Sequence, residues 1–235
     1  MIPQTTHEWL LLLGVVGVVL MTNACHEAAH ALTAFALGDR RAEVFRRATL
    51  NPLRHIHWFL TIVLPLLSYL LMGWLLGGAK PVMVDAGRIG PWRMALVALA
   101  GPVANFLFAG FVIAVLGALI GGGVVDSATA ISSDAWKVLK PGLYFSVLLG
   151  LLNLLPLPPL DGSRMLGALL PESVRRVWYA LAPAGIICVF ALTMWISGQL
   201  AGFGLGRGYP EIYGHIAVLV EDQVFAMAAF WRSIL

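Results

Sequence analysis

A largely apolar stretch from Trp9 to Leu37 constrains the fold more than any other part of the sequence. It is long enough to cross a lipid bilayer as one helix. Glu27 is its only formally charged residue, and His26 and His30 lie on either side of that glutamate. Ionisable groups inside a membrane span are costly unless they have partners, so they indicate a functional site. The sequence therefore predicts a membrane helix that carries a polar site.

The spacing of these three residues indicates the kind of chemistry. His26 and His30 are one helical turn apart, so two imidazole nitrogens can face one metal ion. Glu27 lies about 100° further round the helix, beside that ion. The His-Glu-x-x-His pattern is typical of zinc metalloproteases, in which two histidines bind zinc and the glutamate is the general base. A chance match of two core histidines is the alternative, and the lack of other charges in the segment argues against it.

The composition places the chain in the class of all-α polytopic membrane proteins. Of its 235 residues, 60% are hydrophobic and 11% are charged, and the mean hydropathy is +0.86. This length predicts a single domain, a bundle of about five to six membrane segments in a lipid bilayer. The net charge is only +3, and the sequence contains no run of basic residues, so we expect no nucleic-acid partner. Cys25 and Cys188 do not form a disulfide framework.

The apolar segments alternate with short polar loops along the chain. Residues 42–50 mix β-favouring and charged residues, and they predict a short strand at the membrane surface. Residues 58–78 contain Pro65 and end in glycines, and they are interpreted below as re-entrant. The Gly-rich, acidic stretch 121–137 is predicted to be a loop. Helices are expected at residues 8–37, 93–121, 141–153, 163–170 and 177–200.

The domain is predicted to have a catalytic core at about 8–170, followed by a C-terminal part at 177–235. This part comprises one span and a tail, 211–234, whose apolar residues recur at helical spacing. Glu221 and Asp222 near the middle of the tail argue against a simple span. The tail is therefore expected to be an amphipathic helix that lies at the membrane interface or packs on the bundle.

A second polar site follows the break in the helix at residues 153–162. Three prolines within four positions cannot continue a helix, and irregular backbone at membrane depth is tolerated only in protein or beside a wet cavity. Asp161 ends this break and offers a carboxylate. A catalytic zinc takes three protein ligands, and His26, His30 and Asp161 would complete that set. This requires Asp161 to lie at the depth of the histidines.

The depth of Asp161 depends on how residues 58–78 meet the membrane. If they cross it, Asp161 lies roughly 30 Å from the histidines, on the far side of the bilayer. If they re-enter, Asp161 reaches the right depth. Re-entry also places 11 of the 15 Lys and Arg residues on one side, 8 in 38–93 and 3 in 162–177. The positive-inside rule favours this arrangement, with the site nearer the cytoplasmic face.

Three motifs, in this order and spacing, resemble the site-2 protease family of intramembrane zinc metalloproteases. They are His26-Glu27-Ala28-Ala29-His30, Gly101-Pro102-Val103-Ala104-Asn105, and the Asn153-to-Gly162 segment of the form N-x-x-P-x-x-x-x-D-G. The resemblance covers roughly residues 20–170. Leu50-Asn51-Pro52 and Ala79-Lys80-Pro81 are similar to its compact prokaryotic branch, which has no PDZ or CBS domain.

The resemblance implies an enzyme, a hydrolase that cleaves peptide bonds within or next to transmembrane segments. It implies Zn²⁺ held by His26, His30 and Asp161, with Glu27 as the base. Asn153 would hold the substrate backbone or the oxyanion. Implied partners are transmembrane proteins or signal peptides, and the implied location is the prokaryotic cell membrane.

Two other classes stay open at this point, a membrane metal carrier and a catalytically silent scaffold. A carrier would place His and acidic residues at several depths. A scaffold would be expected to lose Glu27 or a ligand, and none is lost. The roles of His55 and His57, which could serve a metal or the interface, also stay open.

Overall fold

The fold is known from a computed structural model, which describes residues 4–67, 77–196 and 211–234. It confirms an all-α membrane protein, with no strand among the described residues. The helices are α1 (Thr6–Ala36), α2 (Ala42–Arg47), α3 (Trp58–Leu67), α4 (Ala86–Ile89), α5 (Pro91–Gly121), α6 (Ser127–Ser132), α7 (Asp134–Asn153), α8 (Asp161–Leu169), α9 (Glu172–Ala180), α10 (Ala182–Ile196) and α11 (Glu211–Ile234).

Fewer segments than predicted can cross a membrane. Three helices in the described part of the chain, α1, α5 and α7, are long and apolar enough. A fourth span arises if α9 and the adjoining part of α10, which are bent by 53°, are counted together. Among the described residues, three or four helices could therefore span a membrane, compared with the five to six predicted membrane segments. The predicted helix at 177–200 is broken at Leu181, and residues 197–200 lie outside the described residues.

Small residues let two pairs of helices in the bundle approach each other closely. Gly142 of α7 faces Val18 of α1, and an added Cβ there would lie 2.2 Å from Val18 Cγ1. Gly117 of α5 faces α11 in the same way, with Met227 Cβ 2.6 Å from an added Cβ. Close backbone approach through small residues is the usual basis of helix packing in membranes. These contacts pack α7 against α1 and α11 against α5 within the bundle.

The tail helix α11 packs on the bundle, one of the two predicted alternatives. Its buried residues Val220, Val224 and Ala228 belong to a cluster with residues of α5 and α7. Glu221 forms an ion pair with Lys140 of α7. The acidic residue that argued against a simple span therefore has a partner within the bundle.

The predicted strand at 42–50 is wrong, because this segment forms the short helix α2. Glu43 lies in its first turn, and Arg46 and Arg47 in its last, which suits the helix dipole. Val44 is fully buried against the end of α1 and so fixes the helix in place. The alternation of polar and apolar residues is too short to distinguish a strand from a single amphipathic turn.

The predicted loop at 121–137 is also wrong in its second half. The Asp126 side chain accepts a hydrogen bond from Thr129 N–H and begins α6. Ser133 Oγ accepts one from Trp136 N–H and begins α7 at Asp134. These caps start α7 seven residues before Pro141, the predicted start, and the helix continues through that proline.

The two described ends of the stretch 58–78 lie next to each other, as the predicted re-entry requires. Gly78 N–H donates to Leu60 O at 3.0 Å, and Lys80 N–H donates to His55 O at 2.7 Å. Thr61 Oγ1 donates to Gly78 O at 2.8 Å. The two ends are therefore neighbours, which a single crossing of a bilayer does not permit. Residues 68–76 lie outside the described residues.

A buried carboxylate fastens the segment after this stretch to the end of α1. Asp39 is fully buried and accepts two hydrogen bonds of 2.7 Å from the Arg41 guanidinium. It also accepts one from Asp85 N–H at 2.9 Å. Arg41 in turn donates to Met83 O at 2.7 Å. The hydrogen bonds from Arg41, despite burial, lower the pKa of Asp39 to about 2.

This carboxylate makes folding stability depend on pH. Because the folded pKa lies below the unfolded value, the stabilisation is complete above pH ~4 and is lost as the pH falls toward 2. We expect Asp39→Asn to cost about 2 kcal/mol at neutral pH and to remove this part of the acid sensitivity. Thermal unfolding in detergent between pH 6 and 2 measures both effects. Asp222→Asn, at an exposed acid on α11, is the control, and equal losses in the two variants would contradict the prediction.

Candidate metal and catalytic centre

Three buried side chains from α1 and α8 converge on one point inside the bundle. His26 Nε2 and His30 Nε2 lie 3.0 Å apart. Asp161 Oδ2 lies 3.1 Å from His26 Nε2 and 3.2 Å from His30 Nε2. The three residues that the sequence singled out as a ligand set are thus brought together, from positions 135 residues apart along the chain.

The spacing of these three atoms fits a zinc ion. Zinc–nitrogen and zinc–oxygen bonds of about 2.0–2.2 Å place tetrahedral ligand atoms about 3.3 Å from one another. The three observed separations, from 3.0 to 3.2 Å, are close to that value. Two imidazoles and one carboxylate are also a common donor set for catalytic zinc, with a fourth position left open. The cluster therefore suits a zinc ion in both geometry and donor type.

The backbone of α5 orients one of the two histidines. His30 Nδ1 lies 2.7 Å from Val97 O, so Nδ1–H donates to that carbonyl and the Nε2 lone pair faces the cluster. His26 Nδ1 is buried and has no hydrogen-bond partner among the residues that the structure describes. The sequence did not reveal the Val97 contact, because a backbone carbonyl leaves no signal in side-chain identity.

The proline-rich break carries Asp161 to the histidines. Helix α7 ends at Asn153, and α8 begins directly at Asp161. Gly162 permits this sharp reversal, because a Cβ there would lie 2.3 Å from Leu154 O and 2.4 Å from Leu155 O. Ser163 Oγ donates to Leu160 O at 2.6 Å and closes the turn. The Asp-Gly pair therefore combines a candidate ligand with the residue that lets it approach.

Glu27 lies beside the cluster and outside the group of three ligand atoms. Its Oε2 accepts a hydrogen bond from Val82 N–H at 3.0 Å. Its Oε1 has no hydrogen-bond partner in the described part of the chain. The segment 77–85, which forms neither helix nor strand, thus holds one carboxylate oxygen and leaves the other for chemistry. The sequence did not predict this contact either.

A cavity of about 650 Å³ opens onto the cluster. It runs along α7 from Pro141 to Asn153, and its other walls include residues 77–82 and Val189 of α10. Asn153 lines the cavity, as the resemblance required, although its Nδ2 donates to Leu149 O at 3.0 Å within its own helix. Arg164, one turn after Asp161, also lines the cavity and was not singled out from the sequence.

The remaining histidines and cysteines do not join the cluster. His55 is buried, and its Nε2 lies 2.8 Å from Thr49 O. His57 Nδ1 accepts a hydrogen bond from Leu60 N–H at 3.3 Å and caps α3. Cys25 is partly buried and lies outside the group of candidate ligands. In the described ranges, His26, His30 and Asp161 form the one group of three such residues that could hold a metal ion.

Gly101 of α5 leaves room for the two histidines, and this gives a sharp test. An added Cβ would lie 2.5 Å from His30 Nε2 and 2.6 Å from His26 Cε1, distances that real Cβ atoms do not reach. We expect Gly101→Ala to displace the imidazoles and weaken zinc binding by about tenfold or more. Zinc affinity, measured by competition with a chelator, checks this.

Gly110→Ala is the matched control, because it lies in the same helix with nothing within 4 Å of its added Cβ. It should leave zinc affinity unchanged. Equal zinc affinity in the Gly101 and Gly110 variants would show that the histidines are not held as described.

Comparison with known proteins identifies the family. The family model for Peptidase family M50 matches residues 122–197. "Putative zinc metalloprotease YwhC" of Bacillus subtilis is 35% identical over 178 residues, which cover 74% of this chain and 77% of YwhC. "Putative zinc metalloprotease Rip2" of Mycobacterium tuberculosis is 36% identical over 81% of this chain and 69% of Rip2. No solved structure matches the chain.

The chain belongs to peptidase family M50, the site-2 protease family of zinc-dependent metalloproteases. Three helices of the described part of the chain are long and apolar enough to cross a membrane, and the protein is an integral membrane zinc metalloprotease. The resemblance drawn from the three motifs is thereby confirmed at the level of the family.

Proposed function

We propose that this protein hydrolyses peptide bonds within or next to transmembrane segments of membrane-protein substrates. The observation that carries the proposal is the buried convergence of His26, His30 and Asp161 beside Glu27, inside a bundle of apolar helices. The three clustered side chains would hold zinc, and Glu27 would act as the general base. A soluble substrate would have no reason to meet a site at this depth.

Each group then has a defined part in the hydrolysis. A zinc ion held by His26, His30 and Asp161 would supply Lewis-acid activation of the scissile carbonyl and of a water molecule. Glu27 takes a proton from the attacking water and passes it to the leaving amine. Val82 N–H holds Glu27 Oε2, so the carboxylate keeps one orientation while Oε1 exchanges the proton. Val97 O holds His30 in the tautomer that presents Nε2 to the metal.

The cavity supports an apolar, unwound substrate. Its wall on α7, from Pro141 to Asn153, is about 18 Å long at 1.5 Å per residue. An extended peptide of about five residues fills that length. Leu148, Leu149 and Leu152 line it, which suits the side chains of a membrane segment. Asn153, at the end of this wall near the cluster, is our candidate for holding the substrate backbone.

The segment 77–83 supplies free backbone groups next to Glu27. N–H groups of Gly78, Lys80 and Val82 point to the protein and are all hydrogen-bonded. Ala79 N–H and O, Pro81 O and Met83 N–H have no hydrogen-bond partner among the described residues, and Ala79 and Pro81 line the cavity. This segment, and not the helical 42–47, is therefore the edge along which an extended substrate would pair.

Two arrangements favour a site nearer the cytoplasmic face of a prokaryotic cell membrane. The histidines lie in the last third of α1, near the end that leads into the Arg-rich loop. The described ends of 58–78 meet, so α5 would begin on the side of the membrane where α1 ends. The excess of Lys and Arg on that side then indicates the cytoplasm.

A metal carrier is the less suitable alternative. Transport across the bilayer needs polar groups at successive depths. In the part of the chain that the structure describes, the candidate ligands form a single group at one depth. Glu27, which lies outside that group, would have no task in a carrier.

The test is to map cut sites in proteoliposomes that contain the full chain. Two substrates are compared, a single-span protein and a version whose apolar segment is replaced by a soluble linker of equal length. We expect cleavage of the first, with new termini inside or next to the apolar segment by mass spectrometry. Cleavage of the linker version at an equal rate would overturn intramembrane specificity and leave a general membrane-bound protease.

A further inference from the structure

The loop that follows α1 carries more positive charge than its carboxylates can neutralise. Residues 38–57 hold five arginines and two acids, a formal charge of +3. One of the acids, Asp39, is already paired with Arg41. Four other arginines form no ion pair with a carboxylate of the described residues: Arg40, Arg46, Arg47 and Arg54.

Two of these guanidinium groups are held by backbone carbonyls of the same loop. The Arg47 guanidinium donates to Arg54 O. Arg54 Nη1 donates to Arg46 O at 3.4 Å. Backbone carbonyls carry no net charge, so these hydrogen bonds leave the positive charges of Arg47 and Arg54 uncompensated. Several uncompensated arginines in one short loop point to a ligand with negatively charged oxygens.

Large apolar side chains stand exposed around the same arginines. Phe45, Leu53 and Trp58 are 63%, 71% and 67% exposed in the chain alone. The loop lies between the end of the α1 span and the apolar helix α3, at the level where a membrane helix meets lipid headgroups. Side chains of this kind at that level enter the acyl region, while neighbouring basic groups stay at the phosphates.

We propose that the loop 40–58 is a binding site for anionic phospholipids. The Arg46, Arg47 and Arg54 guanidiniums bind the headgroup phosphates and their negative charge, and Phe45 and Leu53 contact the acyl chains. The occupant is the lipid leaflet itself, since uncompensated positive charge and exposed apolar side chains occur together in one loop that follows a membrane span. An acidic protein would match the charge alone and leave the apolar side chains uncovered.

The test is lipid binding to the full chain in detergent, followed by native mass spectrometry. Phosphatidylglycerol, which is anionic, is titrated against phosphatidylcholine, which has no net charge. We expect wild type to prefer phosphatidylglycerol by about tenfold or more, with the preference falling as salt rises. The triple change Arg46→Gln, Arg47→Gln, Arg54→Gln should abolish that preference.

Two matched variants decide the interpretation. The triple change Arg88→Gln, Arg175→Gln, Arg176→Gln removes the same charge from arginines that are paired with acids, and it should keep the preference. The triple change Arg46→Lys, Arg47→Lys, Arg54→Lys retains the charge and should keep most of the preference for phosphatidylglycerol. The proposal is overturned if wild type binds both lipids equally, if the control triple loses as much, or if the lysine triple loses as much as the glutamine triple.

Discussion

Glu27→Gln is expected to lower cleavage of a membrane substrate by about 10³-fold while zinc stays bound. The amide keeps the size and the hydrogen-bond acceptor that Val82 N–H uses, but it cannot take a proton from water. Glu27 also lies outside the three converging ligand atoms, so the metal loses no ligand. Initial rates of cleavage and zinc per chain, measured on the same purified samples, check both parts.

Glu172→Gln, at an exposed residue of α9, is the control for removal of a carboxylate and should cleave at the wild-type rate. A Glu27→Gln protein that loses zinc would place Glu27 among the ligands. A variant that keeps both zinc and full activity would exclude it as the base, and the assignment of the catalytic residues would then be wrong.

Asp161→Asn is expected to weaken zinc binding by about 100-fold or more and to abolish cleavage with it. The carboxylate oxygen lies 3.1 and 3.2 Å from the two histidine nitrogens, and a neutral amide oxygen is a much poorer ligand for a divalent cation. The side chain keeps its shape, so the turn at Gly162 should remain. Chelator competition gives the affinity, and thermal unfolding of the metal-free protein shows whether the fold is intact.

Ser163→Ala is the neighbouring control, because it removes the Ser163 Oγ contact to Leu160 O without touching a ligand atom. It should cost some stability and leave zinc affinity near the wild-type value. If Asp161→Asn binds zinc as well as wild type does, the third ligand is not Asp161.

The parts of the site that follow from local chemistry were predictable from the sequence. His26 and His30 are one turn apart on any helix, so their shared face needed no knowledge of the fold. Predicting that Asp161 joins them required an argument about membrane depth. That argument depended on the re-entry of 58–78, and the contact between Gly78 and Leu60 supports it. A charged group in an apolar segment is a strong indication of a functional site, because placing it inside a membrane costs much free energy.

The contacts that orient these residues were not predictable. Val97 O and Val82 N–H are backbone groups, and they meet His30 and Glu27 only after distant segments pack together. The space at Gly101 could equally have served helix packing, and only the structure shows that it faces the imidazoles. Side-chain identity carries little information about such approaches.

The errors in secondary structure have a common cause. In the segment around Ala42–Arg47 and at Ser133, short-range capping and helix-dipole effects outweighed a weak alternating pattern or a glycine-rich composition. The bend at Leu181 divides an apolar segment that reads as one span. Each of these features involves only a few residues, and a hydrophobic pattern of that length is too short to predict the secondary structure.

The most direct test of the account is cleavage of a single-span substrate by the purified chain, before and after zinc is removed and restored. We predict about one zinc per chain in the active protein, loss of cleavage with a chelator, and recovery when zinc is added back. The Asp161→Asn protein should not recover at the zinc concentration that restores wild type. Cleavage that persists after complete removal of zinc, or an active protein that contains none, would contradict the account.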